Sequence, residues 1–321
     1  MKYPMFKVFL DKKKCLERIT EVFNSGFINE GEQVLEFKEK LKSVFDHEHV
    51  VPVNSCTSAL TMALKLAGVE AGDEVISTAM TCVATNAPIT FLGAKVVWAD
   101  IDRTTGNIDP KEIESKITEK TKAIMCVNWA GLPCDFKNLN NICKEYNIKL
   151  IQDAAHSFGT KYNDQECCHF ADYTCYSFQA IKHMTSGDGG ALVCKSKDDY
   201  LRARGMKWYG FDRFAVKDEK GNWKGQRWDA DIAEVGNKFN MNNISAVIGL
   251  CNLEHHLKIV NAHKRNAKLY GRLFSEVSHV TSLVKQKDSD PAYWIYTVLL
   301  DEELDRDTIL EKLNALGVNA G

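Results

Sequence analysis

The chain has 321 residues, 45% of them hydrophobic and 26% charged, a balance that excludes disordered and fibrous architectures. With 41 Lys+Arg against 43 Asp+Glu the formal net charge is −2. No electrostatic excess therefore recruits nucleic acid or an anionic membrane, and a small-molecule substrate is the default. A chain of this size buries roughly 75% of its unfolded surface and outgrows a single core, which predicts one large domain and a smaller one. The N-terminal MKYPMFKVFLDKKKC lacks a signal-peptide apolar region and cleavage site. No window reaches ~18 apolar residues, so no membrane span is expected and the expected setting is the cytoplasm. Eleven cysteines, an odd number without a C-x-x-C pair, read as reduced, packed thiols. The cluster Cys167, Cys168, His169 has no second ligand group at zinc-like spacing, so no metal is expected.

In chain order, CLERITEVFNSG and EQVLEFKEKLKSVF read as amphipathic helices separated by Gly26 to Gly31. From residue 48, apolar runs alternate with helical patterns, the signature of a mainly parallel sheet flanked by helices. Strands are expected at 49–54, 74–78, 94–100, 122–128, 148–154, 173–178 and 190–195. SALTMALKLAGV, ATNAPITFLG and FKNLNNICKEYN supply helices between them. Seven strands with helical crossovers make a three-layer α/β/α domain. Residues 205–230 show no period and read as a long loop, a common home for function. From Asn243 one long helical pattern runs through ISAVIGLCNLEHHLKIVNAHKRNAKLYGRLF, after which AYWIYTVLL and TILEKLNALG suggest a strand and a helix of a smaller domain. The expected division is residues 1–242 and 243–321.

Three stretches carry chemistry. In YSFQAIKHMTSGDGGALV, Lys182 follows a buried-looking strand and precedes a Gly-rich turn. A partly desolvated lysine there can be neutral near pH 7 and attack an aldehyde to form a Schiff base. A single lysine is usually a solvated turn residue, so the case rests on its companions. Asp153 ends the apolar run IKLIQD, where the carboxyl ends of parallel strands face the ligand crevice. Beside a pyridine nitrogen it would keep the ring protonated, whereas alone it reads equally well as a helix cap. His156 follows within reach of a phenolic oxygen. VNSCTSALTMAL is a strand, a hydroxyl-rich turn and a helix, so Thr57 and Ser58 offer an anion site at a helix N-terminus, with Ser177 as a further contact.

In this order these elements resemble the sugar aminotransferases of the fold-type I pyridoxal-phosphate (PLP) enzymes, the DegT/StrS group. The resemblance runs from GFINEGEQVLEFKEKL through SCTSALTMALKLAGVEAGDEVIS, IDRTTGNIDPKEIESKITEKTKAI, IQDAAHSFGTKY and SFQAIKHMTSGDGGALV to GNKFNMNNISAVIGL. It implies that Lys182 carries the cofactor, that Asp153 faces the pyridine nitrogen with His156 beside the ring oxygen, and that Thr57, Ser58 and Ser177 hold the phosphate. It further implies amino transfer from L-glutamate to a nucleotide-linked ketodeoxysugar, with pyridoxamine phosphate as intermediate, in amino-sugar and polysaccharide biosynthesis.

The chain departs from the family pattern at three places. Cys82 in AMTCVATN stands where an aromatic often stacks on the ring. Lys238 in GNKFNM replaces the asparagine that reaches a neighbouring subunit's phosphate, which predicts a homodimer with shared sites and a strengthened attraction for the phosphate. The sequence stops at ALGVNAG, where members usually continue, so a truncated or short small domain is expected. KWYGFDR, with Lys207, Trp208, Tyr209 and Arg213, together with the GFINEG turn, is the candidate acceptor site: Arg213 for phosphate, Trp208 for stacking. Packing of Trp208 and Tyr209 under the loop is an equal alternative. Two rival activities remain: a related pyridoxamine-phosphate sugar dehydratase, which has histidine in place of the lysine, and a non-catalytic PLP-binding protein. Lys182 followed by His183 favours amino transfer over dehydration.

Overall fold

A computed structural model of the chain describes residues 2–213, 232 and 234–321. All seven expected strands form: β1 (Val50–Val53), β2 (Glu74–Ser77), β3 (Lys95–Trp98), β4 (Thr121–Val127), β5 (Lys149–Asp153), β6 (Tyr173–Ser177) and β7 (Gly190–Cys194). They make one sheet in the order β1-β7-β6-β5-β4-β2-β3. β7 runs antiparallel to both its neighbours, and the other pairings are parallel. Because β7 lies reversed between β1 and β6, the carboxyl ends of β1, β2, β4, β5 and β6 share one edge with the start of β7.

Strict alternation along the strands explains the three layers. In β4, Ala123 and Met125 join one core while Ile124 and Cys126 join the other; in β7, Leu192 and Cys194 oppose Ala191 and Val193. One face is covered by α3 (Cys56–Leu66), α4 (Val83–Phe91) and α6 (Lys197–Met206), which contribute Leu60, Leu64, Ile89, Ala203 and Met206. The opposite face carries α2 (Glu32–Phe45), α5 (Phe136–Glu145) and α7 (Asn243–Leu253), with Phe37, Leu41, Phe136, Leu139 and Leu250 buried. α1 (Lys12–Ser25) packs Cys15 and Val22 against Val247 and Cys251 of α7. A smaller C-terminal unit follows, with α8 (His256–Phe274), an antiparallel pair β8 (Val280–Ser282) and β9 (Val298–Leu300), and α9 (Arg306–Ala315).

Three expectations change in detail. The helical pattern from Asn243 is two helices. Asn252 donates its side-chain amide to the Thr185 carbonyl (2.8 Å) and accepts from the Asp11 amide (3.2 Å), and the chain turns at Glu254–His255, the His255 amide bonding to the Asn252 carbonyl (2.9 Å), where buried α7 gives way to amphipathic α8. Only Val298–Leu300 of AYWIYTVLL is strand, because Ala292 and Trp294 bond instead to the large domain. The expected loop from residue 205 starts with the last turn of α6; residues 214–230 lie outside the described residues. Among the described residues no helix is long and apolar enough to cross a membrane.

Candidate active site

The shared strand edge gathers the chemistry. Asp153 is the last residue of β5 and is 4% exposed. Its carboxylate accepts from the Thr85 hydroxyl at 2.7 Å and from the Ala155 amide at 3.0 Å, with the Cys56 thiol at 4.0 Å. Burial raises its pKa above the ordinary carboxylate value, against the pull of Thr85, the Ala155 N–H and the charge of Lys182. A buried carboxylate in this state gains most from a cationic partner, which a protonated ring nitrogen provides.

Lys182 lies in the turn after β6, its amide bonded to the Gln179 carbonyl at 3.0 Å. Burial lowers its amine to about 8, partly offset by Asp153, Cys56 and Cys82. With a value near 8, roughly one amine in ten is neutral at pH 7, against fewer than about one in a thousand for an ordinary lysine. Its Nζ sits 3.4 Å from the ring centroid of Trp294. His183 turns away: its Nε2 lies 3.1 Å from the Ala292 carbonyl, and burial lowers its pKa to about 3. The lysine, and not the histidine, therefore shares the electrostatic field of Asp153.

His156 is buried and held well below its ordinary pKa, so it is neutral. It stacks on Trp294 (4.1 Å between centroids, 24° between planes), meets Trp129 edge-on at 5.5 Å, and keeps Nδ1 without a hydrogen-bond partner. Cys82 is the exposed N-cap of α4, one turn before Thr85. α4 is tied to β2 through Ser77 Oγ to Asn86 Oδ1 at 2.6 Å.

At the N-terminus of α3, Ser55 is the cap, accepting from the Ser58 amide at 3.1 Å. Ser58 is buried and donates its hydroxyl to Asn54 Oδ1 at 2.6 Å, whereas Thr57 is exposed at the helix tip. The amides of Cys56 and Thr57 lack intrahelical acceptors by geometry and suit a phosphate. Gly190 lies between Val53 and Ser177 in the sheet; a Cβ there would meet the Cys56 nitrogen at 2.6 Å, so glycine lets the helix end sit over the strand edge. Ser177 is buried beside it, its Oγ 3.4 Å from the Gln179 amide.

The KWYGFDR segment and the GFINEG turn do meet. Lys207 and Glu30 form a buried ion pair, so this lysine's charge is matched within the fold. Trp208 packs edge-on against Tyr209 at 5.3 Å, with Arg213 over its ring at 4.4 Å and Lys238 at 5.5 Å. The Lys238 carbonyl accepts from Asn54 Nδ2 at 3.3 Å, which sets this segment beside the helix tip in the same chain. Cys167 is buried near Cys126, and Cys168 points its thiol at the Phe45 carbonyl (3.5 Å). All eleven cysteines are unpaired thiols.

Sequence reading missed Thr85, Ser55 and Trp294. The first cap pattern, N-S-x-x-S, was present in the sequence; Thr85 and Trp294 had no local signal, because their partners are distant in the chain.

The residues thus fit PLP: an amine near neutrality, a buried carboxylate for the ring nitrogen, an imidazole with an open nitrogen and a helix end for phosphate. Comparison with known proteins agrees. The model of the DegT/DnrJ/EryC1/StrS aminotransferase family matches residues 10–321. The spore coat polysaccharide biosynthesis protein SpsC of Bacillus subtilis is 31% identical over 95% of this chain and 77% of its own. The sugar aminotransferase CalS13 of Micromonospora echinospora superposes with a TM-score of 0.89 at 31% identity, covering 99% of this chain and 84% of that one. Spr1654 of Streptococcus pneumoniae, a sugar aminotransferase by its description, has been solved with PLP and with pyridoxamine phosphate; its PLP form gives a TM-score of 0.86 at 27% identity over 99% of this chain and 83% of that one. DesI, solved in the presence of its TDP-sugar product, gives 0.86 at 26% identity over 99% and 79%.

Proposed function

Since this chain belongs to the DegT/DnrJ/EryC1/StrS aminotransferase family, and is a PLP-dependent sugar aminotransferase, we propose that it carries an amino group from L-glutamate to a nucleotide-linked ketodeoxysugar for polysaccharide biosynthesis. The observation that carries this reading is Lys182: a half-buried amine brought to about 8 within the field of buried Asp153. DesI with its TDP-sugar product supports a nucleotide-linked acceptor, and SpsC supports a polysaccharide destination.

PLP supplies an electron sink for the charge left when the donor's α-carbon loses its proton. Lys182 Nζ would take that proton and pass it on within the same half-reaction, to the carbon that had carried the aldehyde, and would run the same transfer in reverse for the acceptor. Asp153, braced by Thr85 and the Ala155 amide, would hold the ring-nitrogen proton. Neutral His156 would hydrogen-bond the ring oxygen, and Thr57, Ser58 and Ser177 would hold the phosphate with the α3 amides. Trp208, Tyr209 and Arg213 bind the acceptor, the guanidinium meeting phosphate.

The working unit is a homodimer, and Lys238, whose carbonyl lies beside the α3 tip of its own chain, adds positive charge to the phosphate end of the site. Exposed Phe27, Ile28, Val83 and Phe91 are apolar side chains that such a contact would cover. Eleven free thiols suit a reducing compartment, the cytoplasm.

The test is to incubate the yellow protein with glutamate, then with a panel of nucleotide ketosugars. Expected are conversion to pyridoxamine phosphate, release of 2-oxoglutarate and an amino-sugar product, all lost in Lys182→Ala, which also fails to retain cofactor after borohydride. Bound cofactor with a spectrum unchanged by glutamate would favour the binding-protein reading, and a ketosugar consumed without amination would favour dehydration.

A further inference from the structure

The segment 291–297 belongs to the C-terminal unit yet ends in the lysine site. It is fastened there by bonds to three parts of the large domain. The Ala292 amide donates to Thr160 Oγ1 (3.0 Å), and its carbonyl faces His183 Nε2 (3.1 Å). The Trp294 amide donates to the Ala130 carbonyl (2.9 Å), and the Trp294 indole Nε1 donates to the Ile181 carbonyl (2.9 Å), next to the lysine itself. α8 adds His263, whose Nδ1 lies 3.0 Å from the Tyr293 carbonyl. Gly131, with φ +92°, admits this close approach: a Cβ there would stand 2.8 Å from both the Tyr293 nitrogen and the His156 carbonyl. The indole so delivered touches Lys182 Nζ, stacks on His156 and is itself covered by Phe6 (4.9 Å, 17°).

We propose that Trp294 is a positioning residue for Lys182: its ring is the wall on which the amine rests, so the C-terminal unit fixes the direction and hydration of the reactive nitrogen. The ring acts in two opposed ways. Its π face favours the ammonium, and its bulk keeps water away and favours the neutral amine. Burial dominates at Lys182, opposed chiefly by the charge of Asp153, with the thiols of Cys56 and Cys82 beside it; the neighbouring imidazoles His156 and His183 are neutral. Removing the ring should therefore hydrate the amine and raise its pKa.

The experiment follows labelling of Lys182 by trinitrobenzenesulfonate against pH, read by peptide mass spectrometry on the full chain freed of cofactor. Wild-type labelling should turn on near pH 8, and Trp294→Ala should shift the midpoint upward by about one unit or more. Reloaded with PLP, Trp294→Ala should lose about tenfold or more in the rate of the glutamate half-reaction, with KM for glutamate little changed, and Trp294→Phe should restore most of it. Should the alanine variant fail to fold, Trp294→Leu keeps apolar bulk without the ring, and the glutamate rate should fall in Leu and recover in Phe. Wild-type midpoint and rate in the alanine variant, or equal losses in Leu and Phe, would overturn the proposal. The glutamate arm rests on the aminotransferase reading. The labelling arm does not, so a shifted midpoint without glutamate turnover would fault that reading and leave Trp294 in place.

Discussion

Thr85→Val tests the support of the Asp153 carboxylate, while also releasing the Thr81 hydroxyl, whose Oγ1 lies 2.6 Å from that of Thr85. The substitution keeps shape and removes a buried hydroxyl that donates to Oδ2 at 2.7 Å, leaving only the Ala155 amide among its close donors. A hydrogen bond to a charged group contributes about 1.5–3 kcal/mol, so the already raised carboxyl should climb further. If the bond is fully expressed in the transition state, the glutamate half-reaction slows by up to about 10- to 100-fold. Stability carries a matching signature. Since folding raises the Asp153 pKa, the group favours the folded state at low pH, and this contribution is lost as pH rises through the folded value. The valine variant, with a still higher value, should be less stable by about 1.5–3 kcal/mol where the carboxyl is ionised in both proteins, and the deficit should shrink as pH falls through the folded pKa. Urea unfolding at a series of pH values spanning the carboxyl titration, with stopped-flow absorbance for the half-reaction, measures both. A deficit of the same size at every pH, or an unchanged half-reaction, would refute the claim that Thr85 acts through the ionised carboxylate.

Other consequences follow from buried charges away from the lysine. Lys207→Met leaves Glu30 buried without its ion-pair partner and should cost about 3–5 kcal/mol, much of it recovered in the double variant with Glu30→Gln; urea midpoints of the three variants decide. Glu166, pushed up to about 7 by burial with Oε2 unpartnered, stabilises the folded state below its unfolded value of 4.5 and loses that contribution as pH rises through 7. Glu166→Gln should therefore gain about 1–3 kcal/mol at pH 8 relative to its effect at pH 5, measured by denaturant unfolding at the two values.

Much of the fold was legible because the strands are short apolar runs bounded by turn residues, and β4 and β7 fill both cores by simple alternation. Lys182, Asp153 and His156 were legible for a related reason: strand ends and the turns after them are marked in the sequence, and crevice chemistry collects there. The break between α7 and α8 was not legible. Periodicity runs through it, and the residue just before it, Asn252, is held by Thr185 and Asp11 in distant parts of the chain. Lys207 was grouped with the acceptor segment KWYGFDR, yet Glu30 faces it in the buried space between α6 and the turn before α2.

The sequence by itself determined which segments become strands and helices, and which side chains stand at their ends, since propensity, alternation and capping act over a few residues. The tertiary structure alone decided that β7 lies reversed between β1 and β6, that Thr85 braces the carboxylate across 68 residues of chain, and that Trp294 closes on the lysine from the C-terminal unit. Those contacts depend on how packed layers bring remote segments together, and that information is spread over the whole chain and held by no local pattern.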